Sequence, residues 1–347
     1  MARVTMQDVA REAGFSVATV SRVLTGSRRV RPDVVRAVRA AQERLGYRTN
    51  QLASALRRQA TGTVGMVVPQ ISNPFFTALV QAVERSLHRS GHGLLLCDGE
   101  ESPDVEAERV RTLLARQVDG LLIVPYDAEQ SAACVREAAN EVPVVQLDRV
   151  VSGAKSDSVA VDNELGMAEM VRHLAIQGYQ QLAFVGSQPT NSTAAERLRA
   201  YLAHAGARDE NNRHRVLLGD FSTAWGQKAG GDIVAGEMPA AIVCANDLIA
   251  LGVLDALLGH GLHVPDDIAL AGFDDIAFAT LIRPTLTSVR QPVDELGAEA
   301  VRTLLSRLSR KDGMPRKIRI QPEIVPRQST GATTSASAEG CSGTSGG

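Results

Sequence analysis

The stretch TMQDVAREAGFSVATVSRVL, residues 5 to 24, places two short amphipathic segments on either side of a Gly-Phe-Ser break. It begins with Thr-x-x-Asp, the signature of a capping box at a helix start, and Gly14 is the residue type that ends helices in the left-handed conformation. Ser16 is in position to cap the second segment. The pattern predicts two short helices joined by a tight turn. Apolar residues that we expect to face inward are Met6, Val9, Ala10 and Ala13 in the first helix and Val20, Val23 and Leu24 in the second.

A third helix is predicted from Pro32 to Leu45. Proline suits the first helical position, and Gly46 follows the last apolar residue. Two short helices around a turn, braced by a third, form a helix-turn-helix unit. In such a unit the second helix enters the major groove of DNA, where Arg bonds to guanine and small apolar groups contact thymine methyls.

The outward face of the second helix carries the candidate base readers. We expect Arg22 to read a base, and Val17 and Ala18 lie on the same face. Viewed alone, Val17 and Ala18 fit ordinary surface positions equally well, but their place beside Arg22 favours a groove contact. Residues with hydroxyl groups suit phosphate contacts that fix register. These are Thr5, Ser16, Thr19, Ser21 and Thr25.

Charge is distributed unevenly along the 347 residues, although the net charge is only −2. Residues 1 to 58 hold 12 Arg, no Lys and 4 acidic residues, a net charge of +8, whereas the remainder holds 25 basic and 35 acidic residues, a net charge of −10. A basic head on an acidic body favours polyanion binding, because phosphate neutralisation supplies most sequence-independent affinity for DNA. Charge alone leaves a solvated basic face open as the alternative.

The segment VTMQDVAREAGFSVATVSRVLTGSRRVRPDVVRAVRAAQERLGYRTNQLASALR, residues 4 to 57, resembles the head of the lactose/galactose-repressor (LacI) family of transcriptional regulators. The resemblance implies a homodimer whose two heads read a pseudo-palindromic double-stranded operator through the second-helix residues named above. Two positions depart from the family pattern. Thr49 replaces a usual Pro, which affects the entry angle of the hinge, and Arg31 replaces a frequent Ser cap, which affects the start of the third helix.

The linker NQLASALRR, residues 50 to 58, carries leucines in a segment of about nine residues, too short for a stable isolated helix. We expect it to fold only on DNA, because its apolar side chains can bury against their symmetry mates and a Leu can wedge into the minor groove. The resemblance assigns that wedge to Leu56 and adds DNA contacts by Asn50 and Arg57. The alternative is that the leucines pack onto the body.

After residue 62 apolar runs alternate with amphipathic stretches. TVGMVVP, GLLLCD, DGLLIVP and VPVVQLD are typical of buried parallel strands joined by helices, and the rhythm restarts near Asp162 with QLAFVGS, HRVLLGD, AAIVCAND and DIALAGFDD. The fold class is therefore α/β, with an all-α head and a body of two lobes, each containing a parallel sheet. A helix from Val293 to Ser309 and one strand, IRIQPEIV, are expected to carry the chain back between the lobes.

Ligands bind beyond the carboxyl ends of strands in open parallel sheets, so the residues after each apolar run are the candidate ligand contacts. Aromatic rings there suit apolar CH faces, and Asp, Asn and Arg suit hydroxyl groups, which together predict a small polyhydroxylated ligand. Taken singly, each residue fits a helix cap or surface ion pair. The candidates are Asn73, Phe75, Phe76, Asp98, Tyr126, Asp148 and Arg149 in the first lobe, and Arg197, Phe221, Asn246, Asp247, Asp274 and Asp275 in the second.

The resemblance continues to residue 327 through SNPFF, LDR, VDN, CANDL, GFDD and RPTLTSVRQP, which are similar to the periplasmic-binding-protein-like effector domain of the same family. It implies a sugar or sugar-acid effector, which we expect to be an inducer. The alternative is a nucleobase or other non-sugar corepressor. Trp225 is an alternative to Phe221 as the stacking ring. The implied effector contacts are Phe75, Phe76, Asp98, Arg149, Arg197, Phe221, Asn246 and Asp274.

The predicted domains are a head at 1–49, a hinge helix and linker at 50–61, a body at 62–327 and a tail at 328–347. The tail lacks the apolar content of a core, which predicts disorder, and its lack of leucine heptads favours a dimer over a tetramer. Its GTSGG matches a nucleophile motif but lacks the strand and helix that the motif requires.

Other protein classes have weaker support in the chain. Because GxGxxG after a strand, a Walker loop and HExxH are absent, we predict no enzymatic activity and no cofactor. The four cysteines lack metal-site spacing, so no metal is expected. No apolar run approaches the roughly 18 residues of a membrane span, and the amino terminus is no signal peptide, so we expect a cytoplasmic protein. An isolated solute-binding protein would need a signal peptide and no basic head.

Overall fold

The computed structural model describes residues 4–25, 30–47, 60–206, 215–310 and 313–331. The chain divides into two compact units, Met1–Gly62 and Thr63–Gly347, which we call the head and the body.

The head contains the three predicted helices, and the expected caps are confirmed. The Asp8 amide donates to Thr5 Oγ1 at 3.3 Å and the Thr5 amide donates to Asp8 Oδ2 at 3.0 Å, forming a capping box. Gly14 and Gly46 end their helices with φ of +73° and +62°. The helices are α1, Met6–Ala13; α2, Val17–Thr25; and α3, Pro32–Leu45.

A small apolar core holds the three head helices together. Val20 of α2 is fully buried, and Val23 and Leu24 pack against the same cluster, as the spacing predicts. Arg31 makes no capping hydrogen bond with its side chain and pairs instead with Asp33, so the third helix starts without a side-chain cap. The buried residues of this core are Val9, Ala10, Val20, Val38, Ala41 and Tyr47.

The body has two six-stranded sheets, one in each lobe, as the alternating pattern predicts. The first sheet has the order β11-β5-β4-β3-β1-β2 and is parallel throughout, while the second has the order β12-β10-β9-β8-β6-β7 with only β12 antiparallel. Lobe 1 contains β1, Thr63–Val68; β2, Gly93–Asp98; β3, Gly120–Ile123; β4, Val144–Leu147; β5, Asp157–Val161; and β11, Lys317–Ile320. Lobe 2 contains β6, Leu182–Ser187; β7, Arg215–Gly219; β8, Ala241–Cys244; β9, Ala269–Asp274; β10, Thr287–Arg290; and β12, Glu323–Val325.

Helices cover the sheets, and the chain passes between lobes three times: after β5, after β10, and between β11 and β12. The predicted return helix has the expected bounds and packs on lobe 1. The body helices are α4, Pro74–Arg89; α5, Pro103–Ala115; α6, Ala132–Glu141; α7, Asn163–Ile176; α8, Ser192–Gly206; α9, Thr223–Val234; α10, Asp247–Gly259; and α11, Val293–Ser309.

The prediction of one strand at IRIQPEIV is wrong. The segment forms two strands in different lobes, because β11 pairs with β5 and β12 pairs with β10. Pro322 lies between them, and a proline has no amide hydrogen to continue a strand ladder. The break lets the chain leave one sheet and enter the other within two residues.

The predicted start of a disordered tail at residue 328 is also wrong. Gln328–Thr330 forms a 3₁₀ turn in which Ser329 and Thr330 are buried. The Ser329 hydroxyl donates to the Leu270 carbonyl at 2.6 Å and accepts the Thr287 amide at 2.8 Å. Hydroxyl bonds to the starts of β9 and β10, rather than apolar burial, hold this polar segment against lobe 2. Residues 332–347 lie outside the described residues.

A buried ion pair fastens the return helix to lobe 1. Arg307 of α11 donates to both carboxylate oxygens of Asp157, at 2.6 and 2.9 Å, and Asp157 also accepts the Arg316 amide at 2.7 Å. Asp157 is 2 % exposed. Breaking such a pair leaves a charge without compensation in the interior.

We expect Asp157→Asn to lower the free energy of unfolding by about 3 kcal/mol, because Arg307 then loses its counter-charge. The exposed pair of Glu169 and Arg172 supplies the control, since Glu169→Gln should cost less than about 0.5 kcal/mol. Urea unfolding of both full-length variants measures the difference. Equal losses in the two variants would contradict the buried anchoring.

Candidate functional site

The head presents a small exposed surface on α2. Val17, Ala18 and Arg22 are exposed, while Val20 on the opposite side is buried, so the helix turns the predicted base readers outward. This arrangement allows a groove contact without disturbing the core.

Several residues that we expect to contact DNA phosphates form hydrogen bonds within the head. The Thr5 hydroxyl donates to Asp8 at 2.7 Å, and Ser16 Oγ accepts the Thr19 amide at 3.2 Å and lies 2.9 Å from Thr19 Oγ1. Ser16 is exposed, whereas Thr19 and Ser21 are half-buried. The Thr25 side chain, Asn50, Leu56 and Arg57 lie outside the described residues, so the predictions for them stay predictions.

The second candidate site lies between the two lobes of the body. Parallel strands of both sheets end at this cleft, and the residues that follow them come together there. Arg149 follows β4 of lobe 1 closely, and Phe221 follows β7 of lobe 2. The predicted shared cleft therefore contains side chains from both lobes.

Arg149 is held between two aromatic rings. Its guanidinium carbon lies 5.5 Å from the ring centroid of Phe76 in lobe 1 and 5.6 Å from that of Phe221 in lobe 2. The side chain is buried, and Nη1 donates to the Tyr126 carbonyl at 3.4 Å. Its Nε has no hydrogen-bond partner in the described part of the chain. A donor is thus left for a bound molecule.

Asp148 forms a strained turn beside Arg149. Its φ is +64°, in the left-handed region, and the Arg149 amide donates across it to the Leu147 carbonyl at 2.7 Å. Such a turn costs about 1–3 kcal/mol and persists where surrounding contacts fix it. One such contact comes from lobe 2, where the Thr193 hydroxyl donates to the Asp148 carbonyl at 3.2 Å. Asp148 Oδ1 is buried without a partner among the described residues, and burial raises the pKa of this carboxyl.

Arg197 is the centre of a buried network in lobe 2. Its Nε donates to Asn163 Oδ1 at 2.9 Å, and Nη1 donates to the Ala245 carbonyl at 2.7 Å and lies 3.3 Å from Asp274 Oδ1. The guanidinium also covers the Phe273 ring at 3.6 Å. Arg197 is 2 % exposed, so these contacts must replace the water that would otherwise solvate its charge.

Gln291 joins this network from the second crossover. Its Nε2 donates to Asp274 Oδ1 at 2.8 Å, while its Oε1 is buried with no partner in the described ranges. Gln291 is 2 % exposed. With Asp148 Oδ1 it offers a second acceptor for a donor of a ligand.

Three predicted contacts have structural bonds of their own. Asn246 caps α10, because its Oδ1 accepts the Ile249 amide at 2.9 Å. Phe75 is buried in the lobe 1 core and packs edge to face on Phe76, with centroids 5.3 Å apart. Asp98 accepts the backbone amides of Ile71 and Glu100 at 3.2 and 3.1 Å. Their effector contacts stay predictions.

Phe221, rather than Trp225, provides the ring that faces Arg149. Trp225 packs on the lobe 2 core and its Nε1 donates to the Gly186 carbonyl at 3.0 Å. Gln291 is a residue that we did not predict, although it directly follows β10 and the strand-end rule applies to it. Asp247, expected among the ligand contacts, is fully buried and instead accepts from the Ser288 hydroxyl at 2.7 Å and the Ile276 amide at 2.8 Å.

The described ranges show neither a metal-type cluster nor a membrane span. No three His, Cys, Asp or Glu side chains converge in them as a metal site requires. No helix within these ranges is long and apolar enough to cross a membrane.

Family comparisons cover both units of the chain. Residues 5–50 match the family of bacterial regulatory proteins, lacI family, and residues 171–330 match a periplasmic binding protein-like domain. The HTH-type transcriptional repressor PurR of Aliivibrio fischeri (strain MJ11) is 33% identical over 329 residues, covering 94% of this chain and 98% of that protein. The ribose operon repressor of Escherichia coli (strain K12) is 32% identical over 329 residues, covering 94% and 99%.

A solved structure supports the same assignment. The lac repressor dimer bound to operator and the anti-inducer ONPF superimposes with a TM-score of 0.85 at 28% identity, covering 95% of this chain and 100% of that one. A helix-turn-helix head followed by a two-lobed body with a ligand-type cleft defines a DNA-binding transcriptional regulator. The chain belongs to the LacI family of bacterial regulatory proteins.

The pH dependence of stability tests whether the Asp274 carboxyl is buried in the cleft. Burial raises its pKa from 3.8 to about 6, against the opposing effect of Arg197. Because the folded chain keeps this proton up to about pH 6 and the unfolded chain only up to about pH 3.8, the group removes up to about 3 kcal/mol of stability as the pH rises from 4 to 7. Asp274→Asn should lack this loss, and Asn tolerates the φ of +110° as Asp does.

Urea unfolding at pH 4, 5, 6 and 7 measures this difference between the wild-type chain and the Asp274→Asn variant. The exposed Asp266 supplies the control, since Asp266→Asn should leave the profile parallel to that of the wild type. A parallel profile for Asp274→Asn would show that the carboxyl does not retain its proton in the folded chain.

Proposed function

We propose that this regulator binds a pseudo-palindromic operator as a homodimer and that a small carbohydrate in the interlobe cleft, a sugar or sugar acid, controls the binding. The protein then acts in the cytoplasm as a repressor of carbohydrate-related genes, without catalysis of its own. The similarity to the ribose operon repressor and to the operator-bound lac repressor dimer supports this proposal.

The observation that carries the effector proposal is the set of buried polar atoms without partners. Asp148 Oδ1 and Gln291 Oε1 accept, and Arg149 Nε donates. Leaving such atoms unpaired costs about 1–3 kcal/mol each, so a ligand that pairs them gains that energy. Sugar hydroxyls both donate and accept, and sugar CH faces suit the rings of Phe76 and Phe221.

A nucleobase effector is the second candidate. The guanidinium of Arg149 lies 5.5 Å from the ring centroid of Phe76 and 5.6 Å from that of Phe221, and this position between two rings also suits a planar base. Similarity to the repressor PurR points the same way. A base would need Arg149 to move from this position, whereas a sugar is able to bind Arg149 where it lies.

Coupling to DNA requires that the effector prefer one lobe arrangement over another. The Arg149 contact with Phe221 links the lobes through a side chain that also faces the ligand position. We propose that the effector acts as an inducer, so the bound arrangement disfavours the operator complex.

Arg22→Ala should weaken binding to the preferred duplex about 10- to 100-fold, because one bidentate Arg contact to guanine contributes about 1–3 kcal/mol. Arg36 is an exposed arginine on α3, so Arg36→Ala removes the same charge from the head as a matched control. The duplex is selected from a random pool with the wild-type chain, and gel shifts measure affinity. Equal weakening by both variants, with the sequence preference retained, would contradict base reading by Arg22.

A thermal-shift panel tests the effector class. Pentoses, hexoses, sugar acids and nucleobases are added to the full-length chain, and a sugar at 100 times its Kd should stabilise the body by about 3 kcal/mol. Gln291→Leu should reduce this stabilisation by about 1–3 kcal/mol, because the ligand loses one acceptor, while Gln227→Leu, a change of an exposed Gln on α9, should preserve it. Stabilisation by nucleobases alone would replace the carbohydrate proposal with the second candidate.

A further inference from the structure

The floor of the interlobe cleft is balanced in charge. Asp148 pairs with Arg149 at 3.8 Å, and Asp274 pairs with Arg197 at 3.3 Å. All four side chains are buried. Asp148 Oδ1 and Arg149 Nε lack hydrogen-bond partners among the described residues, although Nε is the atom that forms the ion pair with Asp148 Oδ2. A ligand that reaches them therefore meets no net charge at the floor, so groups farther out would select for the charge of the ligand.

The mouth of the cleft carries carboxylates from both lobes. Glu101 follows β2 in lobe 1 and Asp220 follows β7 in lobe 2, and both are exposed. Asp220 directly precedes Phe221, whose ring covers Arg149 at 5.6 Å. Both acids thus follow the carboxyl ends of strands, the side of the sheets from which a ligand would reach Arg149.

Glu101 is held in place by a strained loop. Glu100 and Glu101 both have φ of +53°, a conformation that non-glycine residues rarely adopt. The Glu101 amide donates to the Pro69 carbonyl at 2.8 Å, and its Oε2 accepts from Gln70 Nε2 at 3.3 Å. These bonds hold the Glu101 carboxylate next to residues that follow β1, at the carboxyl edge of the first sheet, at a cost in backbone energy.

The pKa directions of Glu101 and Tyr126 agree with this placement of the two acids. Partial desolvation of its carboxyl raises the pKa of Glu101, although the residue as a whole is exposed; Arg149 opposes the rise, and Asp220 and Asp98 add to it. The pKa of the Tyr126 hydroxyl is raised by burial, and next by Glu101, with a further contribution from Asp220. Negative charge from opposite lobes thus acts on the same part of the cleft.

We propose that Glu101 and Asp220 form an anion filter, which makes the cleft take neutral or amino-substituted sugars and exclude sugars that carry a carboxylate or phosphate. The inference rests on the proposed carbohydrate effector and narrows it. The filter residues repel by charge and do not themselves hold the ligand. Because both are exposed, salt screens their effect.

Sugars that differ in charge on the same ring are the probes: glucose, glucuronate and glucosamine, and ribose with ribose 5-phosphate. Calorimetry on the full-length wild-type chain should give binding of at least one neutral sugar, with its anionic counterpart about 5- to 30-fold weaker, as two unit charges at a solvated mouth produce. In 0.5 M salt the difference should shrink.

Glu101→Gln combined with Asp220→Asn should recover most of the lost affinity for the anion and change the affinity for the neutral sugar less than about threefold. Glu141 supplies the matched control. It is exposed at the end of α6, next to the amino-terminal edge of β4 and away from the cleft, so Glu141→Gln should leave the ratio unchanged.

Outcomes separate the filter from the proposed function. Equal wild-type affinity for a neutral sugar and its anionic counterpart, or an unchanged ratio in the double variant, overturns the filter and leaves a carbohydrate effector standing. Stabilisation by nucleobases with no binding of any sugar overturns the proposed function and the filter with it.

Discussion

Arg197 is a fully buried cation whose compensation organises the body. A guanidinium removed from water is destabilising by several kcal/mol unless charge and hydrogen bonds replace the lost solvation. The chain meets that requirement with Asn163 at the first crossover, a carbonyl at the end of β8, and Asp274 at the end of β9. Three separate parts of the fold are thereby held at one point, and Gln291 at the second crossover attaches to it through Asp274.

The same network reaches lobe 1. Glu196, the neighbour of Arg197 on α8, accepts from Asn163 at 2.8 Å and from Arg319 of β11 at 2.6 and 3.0 Å. Residues of the first two chain crossings and of β11, the strand before the third, are thus joined by charge-assisted bonds. A molecule that pairs with Gln291 Oε1 would contact this network directly, because Gln291 is bonded to Asp274.

Sequence patterns predicted much of this architecture because they report local physics. Capping chemistry predicted the bounds of α1 and α3, and apolar periodicity predicted two parallel lobes and the return helix α11. The split of IRIQPEIV was missed because its two halves have identical strand character, and only pairing with β5 or β10 separates them. The docked turn at Gln328–Thr330 was missed because hydroxyl bonds leave no apolar pattern.

The rule that ligands bind beyond the carboxyl ends of strands located the cleft, but it did not separate side chains available to a ligand from side chains with structural bonds. It selected Arg149, Arg197 and Asp274, yet it equally selected Asn246, whose side chain caps a helix. Which atom of a polar side chain stays unpaired depends on neighbours distant in sequence, as for Gln291 and Asp274. No local sequence pattern records which atom stays unpaired. Thr49, Asn50, Leu56 and Arg57 lie beyond the described residues, so the hinge predictions stay open to experiment.

The left-handed turn at Asp148 limits which substitutions the cleft can accept during evolution. Most residues resist a φ of +64°, so only Asn and Gly replace Asp there without additional strain. Arg149, one position later, has no such backbone restriction. The backbone conformation at Asp148 should therefore stay the same while the next side chain, which enters the cleft, is free to change. New ligand preferences would arise by exchanging Arg149 and the side chains around it, on a backbone that stays where it is.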